Sequence, residues 1–382
     1  MKSIRISETI EKAESRTCYE NSVGYNVAVV IPRKPVGGVK RTIDKLIKGL
    51  NLEGFCVKPL EYSGKTLLNT TFSDIRNVCV LRGFDAVIYT RSIPLFSHVF
   101  IHNYVKTILF IHGFVKDELL NVILRDNLKG KIGATYLLTL WNFSKSLNKI
   151  DLYICRSPTS CEVNMVKGDY IILPEFVFEE EVRGFEEFVR DYRKMHNGET
   201  SDTSVRVVTY TSYASSPRLL EAQHVERLMK IVSKYIDKKI ELVIIDPKRE
   251  CRAFKLAENV VVRYLKPLLK KKFHELILNS DLYIELNIDE ELRNSTIEAG
   301  LLETPIAKLT HPKFKDRKDY PDEVLINGYS FEDLAMKLVL YLNEYLKDEN
   351  HRLVYTRKFK NFIAKCRTWD SVKKPLIEFL KS

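Results

Sequence analysis

The chain has 382 residues, with 61 Lys and Arg against 50 Asp and Glu, and a formal net charge of +11. Its content of 45% hydrophobic and 10% aromatic residues is enough to build packed cores, which excludes a disordered chain, and its length suits two domains of ordinary size. No apolar run approaches the roughly 20 residues that span a bilayer. The opening MKSIRISETIEKAESR is polar and charged, without the apolar stretch of a secretory signal. The seven cysteines (Cys18, Cys56, Cys79, Cys155, Cys161, Cys251 and Cys366) are odd in number and contain no C-x-x-C pair. They are expected as reduced, mostly buried thiols of a cytoplasmic protein, not as a zinc site or a disulfide frame. The basic excess is uneven: residues 1–175 hold 24 Lys and Arg against 16 Asp and Glu, and the remainder 37 against 34. The first half could therefore meet an anionic membrane surface, nucleic acid or a phosphorylated acceptor, or simply be charged for solubility.

Along the chain, residues 1–24 read as an irregular or helical lead-in. The continuous apolar run Asn26–Pro32 suits a buried parallel strand; a Gly-containing loop and an amphipathic helix from about Val39 to Leu50 follow. Further strands are expected near Phe55–Lys58, Asp85–Tyr89, Thr107–Ile111, Asp151–Cys155 and Tyr170–Leu173. From Phe176 to Ser204 the sequence becomes highly charged and then polar, a helix followed by an interdomain linker. A second series begins with strand Val205–Tyr210 and continues with strands near Glu241–Ile245, Val260–Arg263, Leu282–Glu285 and Pro305–Ala307. Its helices are expected near Pro217–Tyr235, Lys270–Asn279, Ser295–Glu303 and Phe331–Lys347. The tail, 350–382, reads as two helices. Alternating apolar strands and helices predict an α/β protein of doubly wound sheets.

Several groups of residues sit where such sheets do chemistry, at strand carboxyl ends. Gly37 and Gly38 follow the first strand, where glycines let backbone approach a ligand and free N–H groups at a helix start face it. That loop has neither G-x-G-x-x-G nor G-K-[ST], so a dinucleotide site and a P-loop are disfavoured. His112 follows the strand Thr107–Ile111 and could donate from a ring nitrogen or titrate near neutrality; a packing or capping histidine is the other reading. The stretch from Asp281 to Lys308 reads strand, loop, helix, tight turn, strand. It carries Glu290 and Glu298 with seven residues between them. A loop delivered to a helix N-terminus near Ser295 and Thr296 makes an anion site, and a carboxylate one turn into that helix can accept from ribose hydroxyls. Two Glu at this spacing also occur on an ordinary solvated helix face.

The Glu290-x7-Glu298 pair followed by Ala299 and the Thr304-Pro305-Ile306 turn resembles the nucleotide-sugar site of retaining GT-B glycosyltransferases, the large family 4 (glycosyl transferases group 1). The Val36-Gly37-Gly38 start, the strand-end His112, the Asp151–Ser157 segment and Pro174 are similar to the family's corresponding segments. The resemblance covers about residues 26–345. It implies two Rossmann-like domains facing a central cleft: an acceptor-side domain over 1–175, a helix and linker over 176–204, and a nucleotide-sugar domain over 205–348. Helices over 349–382 would cross back toward the first domain. It also implies transfer of a hexose with retention of anomeric configuration, with no metal and no cofactor beyond the donor substrate. In this picture Glu298 holds the ribose, Glu290 orients the transferred sugar and His112 faces that sugar. Arg218, Ser295, Thr296 and the Gly37-Gly38 loop meet the leaving diphosphate, which helps take the acceptor proton. Two departures from the family stand out. Glu291-Leu292-Arg293 replaces Gly-aromatic-Gly after the first Glu. Of the Arg and Lys that hold the diphosphate, only Arg218 is present, near the Lys position: that one guanidinium could bridge two phosphate oxygens with help from hydroxyls and a helix N-terminus, Arg293 could supply the missing charge, or activity could have been lost. The strand Val260–Arg263 and the loop after it resemble the segment that clamps the base by backbone groups.

The acceptor expected from this resemblance is a glycan or a lipid-linked glycan, reached by a cytoplasmic enzyme that could lie peripherally at the inner membrane face. A non-catalytic GT-B subunit that binds sugar nucleotide or a partner is the alternative, favoured by the missing Arg. A nucleic-acid-binding protein is the third reading, unsupported by any clustered aromatic-basic motif.

Overall fold

The apolar run Asn26–Ile31 (β1) is the second strand of a six-stranded parallel sheet with Cys56–Glu61 (β2), Ala86–Thr90 (β3), Lys106–Ile111 (β4), Leu152–Cys155 (β5) and Tyr170–Ile172 (β6). In this computed structural model the strand order is β2-β1-β3-β4-β5-β6. The structure describes residues 24–31, 38–61, 78–90, 101–111, 123, 131–132, 134–135, 138–139, 150–195, 204–211, 222–287, 290–311, 321, 325–347 and 349–382. Strands β3 and β5 are buried along their whole length, as a sheet covered on both faces requires. The helix Gly38–Leu52 (α1) buries Ile43, Leu46 and Leu50, spaced three and four apart as one helical face. A second helix, Pro158–Val163 (α2), is started by Ser157, whose side chain accepts from Ser160 N–H while Ser160 Oγ accepts from Ser157 N–H. The strand order reverses between β1 and β3, and there the Thr90 hydroxyl donates to Val30 O at 2.8 Å.

The second unit runs from Pro174 to Val372. It opens with Glu179–Met195 (α3), in the charged stretch, which carries Glu179, Glu180 and Glu181 in its first turn and Arg193 and Lys194 in its last. Both ends thus complement the helix dipole. Its sheet contains Ser204–Tyr210 (β7), Lys239–Ile245 (β8), Arg252–Ala257 (β9), Val260–Leu265 (β10), Leu282–Glu285 (β11), Ile306–Thr310 (β12) and Leu325–Asn327 (β13). The order is β13-β12-β11-β7-β8-β10-β9, parallel except for β9, which pairs antiparallel with β10. One face is covered by Ala222–Val232 (α4) and Phe331–Lys347 (α7). The other is covered by α3, Lys270–Leu278 (α5), Asn294–Leu301 (α6) and Glu349–Cys366 (α8).

Two strands, β9 and β13, were not expected. Strand β9 lies at the sheet edge and exposes Arg252 and Ala253, so it lacks the apolar run that marks a buried strand. The tail, expected as one crossing piece of two helices, is three helices and is divided. Helix α8 packs in the second unit, while Lys373–Ser382 belong with the chain up to Leu173. Before that crossing, Trp369–Val372 (α9) is tied to the start of the unit: Val177 N–H donates to Arg367 O and Trp369 N–H to Val177 O, at 2.8 and 2.9 Å. The last helix, Lys374–Lys381 (α10), buries Leu376 and Leu380 in the first unit. Lys106 Nζ donates to its terminal carbonyls, Phe379 O at 3.0 Å and Leu380 O at 3.3 Å.

The thiol expectation needs correction. Cys155, at the end of β5, and Cys161, in α2, are disulfide-bonded, six residues apart; the turn into α2 brings together two residues that sequence spacing alone does not pair. Cys79, Cys251 and Cys366 are exposed. Among the described residues no helix is long and apolar enough to cross a membrane.

Candidate functional site at the carboxyl edge of the second sheet

The order of the second sheet reverses between β7 and β11, so the crevice outside their carboxyl ends is where an open α/β sheet receives a ligand. Alternation along the strands fixes what faces it. In β11, Leu282 and Ile284 join the core beneath α4 and α7, whereas Tyr283 joins the core beneath α3, α5, α6 and α8. Glu285 therefore points to the α6 side, and Lys308, its register partner on β12, lies beside it. Across the reversal the Thr209 hydroxyl donates to Ile284 O at 2.8 Å, as Thr90 does in the first sheet.

Glu285 is 1% exposed, and both its oxygens are engaged. Oε1 accepts from Asn287 N–H at 2.9 Å and lies 3.3 Å from Arg293 Nε; Oε2 accepts from the Thr296 hydroxyl. Arg293 also donates from Nη1 to Tyr210 O, at the end of β7, at 3.3 Å. Its Nη2 is buried and has no hydrogen-bond partner among the described residues. Lys308, fully buried, donates to Asn287 O, and Asn287 Nδ2 donates to Glu291 O at 3.4 Å. A buried carboxylate paired with a guanidinium and accepting further hydrogen bonds is the arrangement under which a charge tolerates a low-dielectric setting. Tyr283 donates to Ser295 Oγ at 2.8 Å. Burial, and then the Glu285 carboxylate, push its phenol above the ordinary value.

The residues expected at a site are placed as follows. Glu290 is 4% exposed, in the loop between β11 and α6. Glu298, in the middle of α6, is 5% exposed, and its Oε2 lies 3.8 Å from His274 Nε2 of α5. His274 packs against the Phe185 ring at 4.8 Å and the Phe188 ring at 5.7 Å. Arg293 is the N-cap of α6 and makes no side-chain cap bond; its carbonyl accepts from Thr296 and Ile297 N–H at 3.1 Å each. Ser295 and Thr296 lie in the first turn, each hydroxyl engaged with β11 through Tyr283 or Glu285. In the first unit Gly38 begins α1 and its carbonyl accepts from the Thr42 hydroxyl. Gly37, His112 and Arg218 lie outside the described residues. The second unit thus brings Glu290, Arg293, Ser295 and Thr296 to the loop and helix start that follow β11, while Glu298 lies one turn further along α6, buried beside His274.

Sequence reasoning missed Glu285, Asn287, Lys308 and His274. The signal was present for two of them: Glu285 and Lys308 interrupt apolar strands that flank the same helix, at positions a buried strand would otherwise fill with Val or Ile.

No protein-family model matches the sequence, and no curated protein matches it significantly. Solved structures do match in fold. Sucrose-phosphate synthase from Thermosynechococcus elongatus superposes with a TM-score of 0.63 at 12% identity, over 94% of this chain and 98% of that one. A glycosyltransferase from Rickettsia africae gives 0.59 at 12% identity, over 94% and 98%. Anabaena HepE, solved in complex with UDP and glucose, gives 0.58 at 12% identity, over 93% and 99%. The likeness spans both units of this chain and essentially the whole of each of the other proteins: the chain has the GT-B fold found in glycosyltransferases.

Proposed function

We propose that the protein is a glycosyltransferase that takes a hexose from a nucleotide-sugar and passes it to a glycan or lipid-linked acceptor with retention of configuration. It needs no metal and works in the cytoplasm or at the inner membrane face. What supports this reading is Glu290 in the loop after β11 and the start of α6 beside the strand-order reversal of a GT-B sheet, with Glu298 one turn into that helix. The α6 N-terminus offers N–H groups to the phosphates, Glu298 accepts from the ribose, and Glu290 orients the sugar. Arg218 is the further cation expected at the phosphates, and the leaving diphosphate helps accept the acceptor proton. Preorganised donors aimed at the leaving diphosphate supply the largest part of such catalysis.

The test is incubation with UDP-, GDP- and ADP-hexoses and a set of glycan and lipid-linked acceptors. Released nucleoside diphosphate and the mass of the product are read, and the anomeric configuration is assigned by NMR. Transfer that falls at least about a hundredfold in Glu290→Gln supports the reading; transfer indifferent to that change counts against it. A second reading, a non-catalytic GT-B subunit that binds sugar nucleotide or a partner, is favoured by one observation: Arg293, the candidate for the missing phosphate cation, is already held by Glu285 and Tyr210 O. Tight nucleotide-sugar binding with neither transfer nor hydrolysis would select it.

A further inference from the structure

We infer that Glu285 is a positioning residue for the donor site, acting through Arg293 and Thr296 and not on the donor itself; the inference rests on the donor-site reading above. Three of its partners, Asn287 N–H, Arg293 Nε and the Thr296 hydroxyl, come from the loop and helix that follow it. Both ends of the segment carrying Glu290 are therefore tied to one carboxylate. Arg293 extends the tie across the strand-order reversal to Tyr210 O, and Lys308 fixes the Asn287 carbonyl from the other side. The loop Glu291-Leu292-Arg293 is bulkier than a glycine loop, and Leu292 is buried in the core beneath α6. A loop so built has no intrinsic turn to hold it and takes its shape from side-chain anchors. A further consequence concerns charge. The Glu285 carboxylate neutralises Arg293 at the point where phosphates would lie, so the helix N–H groups, not this guanidinium, are the anion donors from this loop. Arg293 is a strut.

The test uses the full chain and three variants, Glu285→Gln, Thr296→Val and Thr296→Ser, with two readouts. Hydrogen exchange follows the amides of residues 287–296 without nucleotide, and titration calorimetry measures affinity for UDP, GDP and ADP. Glu285→Gln is expected to speed exchange across 287–296 while that of β7 and β8 stays slow. Thr296→Val, which removes one bond to a charged acceptor, is expected to weaken the preferred nucleotide about tenfold. Thr296→Ser, which keeps the hydroxyl, restores the affinity. Unchanged exchange at 287–296 in Glu285→Gln overturns the inference, whether or not nucleotide binds. So does faster exchange combined with wild-type nucleotide affinity in Thr296→Val. Failure of the wild type to bind any of the three, with faster exchange in Glu285→Gln, removes the donor-site reading and leaves Glu285 a fold residue only, which overturns the positioning claim separately from the anchoring one.

Discussion

Glu303 shows how single residues are held against their own preferences. It sits just beyond α6 at φ 59°, a left-handed conformation that a residue with a Cβ adopts at some cost. Its backbone closes the end of α6, where Thr304 N–H donates to Ala299 O at 3.0 Å, and its carboxylate meets Lys360 Nζ at 2.9 Å and Arg193 at 3.0 Å, while Lys360 also reaches Glu186 at 3.2 Å. Burial pushes the Glu303 carboxyl up, but Lys360 and Arg193 outweigh it and leave it below its ordinary 4.5. For Lys360, burial pushes down and the two carboxylates raise it above 10.5. The signs give the window. The Glu303 contribution is complete above the unfolded value of 4.5 and is lost as pH falls through the depressed folded value. The Lys360 contribution is complete below 10.5 and is lost as pH rises through its raised folded value. Lys360→Met is therefore expected to cost about 1 kcal/mol at pH 7 and to flatten the loss of stability between neutral and acid pH. Urea midpoints of both proteins from pH 7 to pH 3 measure this; parallel curves would refute it.

At the scale of elements, α6 is the piece on which the site depends, and its packing is tight. Gly300 lies in α6 against α8, where a Cβ would stand 2.4 Å from Phe359 Cδ1 and 2.7 Å from Ile363 Cδ1. Helix propensity alone would favour alanine by about 1 kcal/mol. Phe359 and Ile363 are buried and cannot move aside, and overpacking of this kind costs about 1–3 kcal/mol, so the steric effect wins. Gly300→Ala is expected to lower stability by up to about 2 kcal/mol, read from equilibrium denaturation; a stabilised variant would show that α8 is not packed there. The same helix shows what the sequence could and could not say. Its position, its predecessor β11 and the turn into β12 were legible from the apolar runs and the Thr304-Pro305 turn. The roles of Ser295 and Thr296 were not, because a hydroxyl at a helix start reads equally as a ligand donor or as a tie to the neighbouring strand. Only the register of Glu285 and Tyr283 shows that each hydroxyl is bonded to β11. Strand β9 was illegible for a related reason: an edge strand owes its place to pairing with β10, not to a buried run. Strand β13 has three residues, too few for a period to show.

At the scale of the whole molecule, the chain ends in the unit where it began. The final helix belongs with the first sheet, with Leu376 and Leu380 fully buried, Lys373 paired to Glu53 at 2.7 Å and Lys106 capping the terminal carbonyls. A chain ending at Val372 would uncover those pockets. It should lose at least about 3 kcal/mol, the burial of two leucines at the low end of their range. The loss belongs to the first unit: hydrogen exchange in β4 and α1 should accelerate while β7 and β11 keep their protection. Uniform change across both units would contradict that assignment. Two series of alternating strands and helices were legible, but the charged stretch 176–204, read as a helix and interdomain linker, lies within the second unit, which begins at Pro174 and packs Val182, Phe185 and Val189 into its core. The split of the tail was not legible, since only tertiary packing assigns α8 to the second unit and α10 to the first.

The donor site is the centre of the account, and thermal stabilisation by nucleotide-sugars tests it most directly. Wild type and Glu298→Ala are melted with saturating UDP-, GDP- and ADP-hexoses. One nucleotide is expected to raise the wild-type midpoint by several degrees, the size that follows from about 2–3 kcal/mol of binding linkage at a hundredfold excess over Kd, and Glu298→Ala is expected to lose this shift. No shift with any of the three, or an equal shift in both proteins, would contradict the placement of a nucleotide-sugar on this sheet edge.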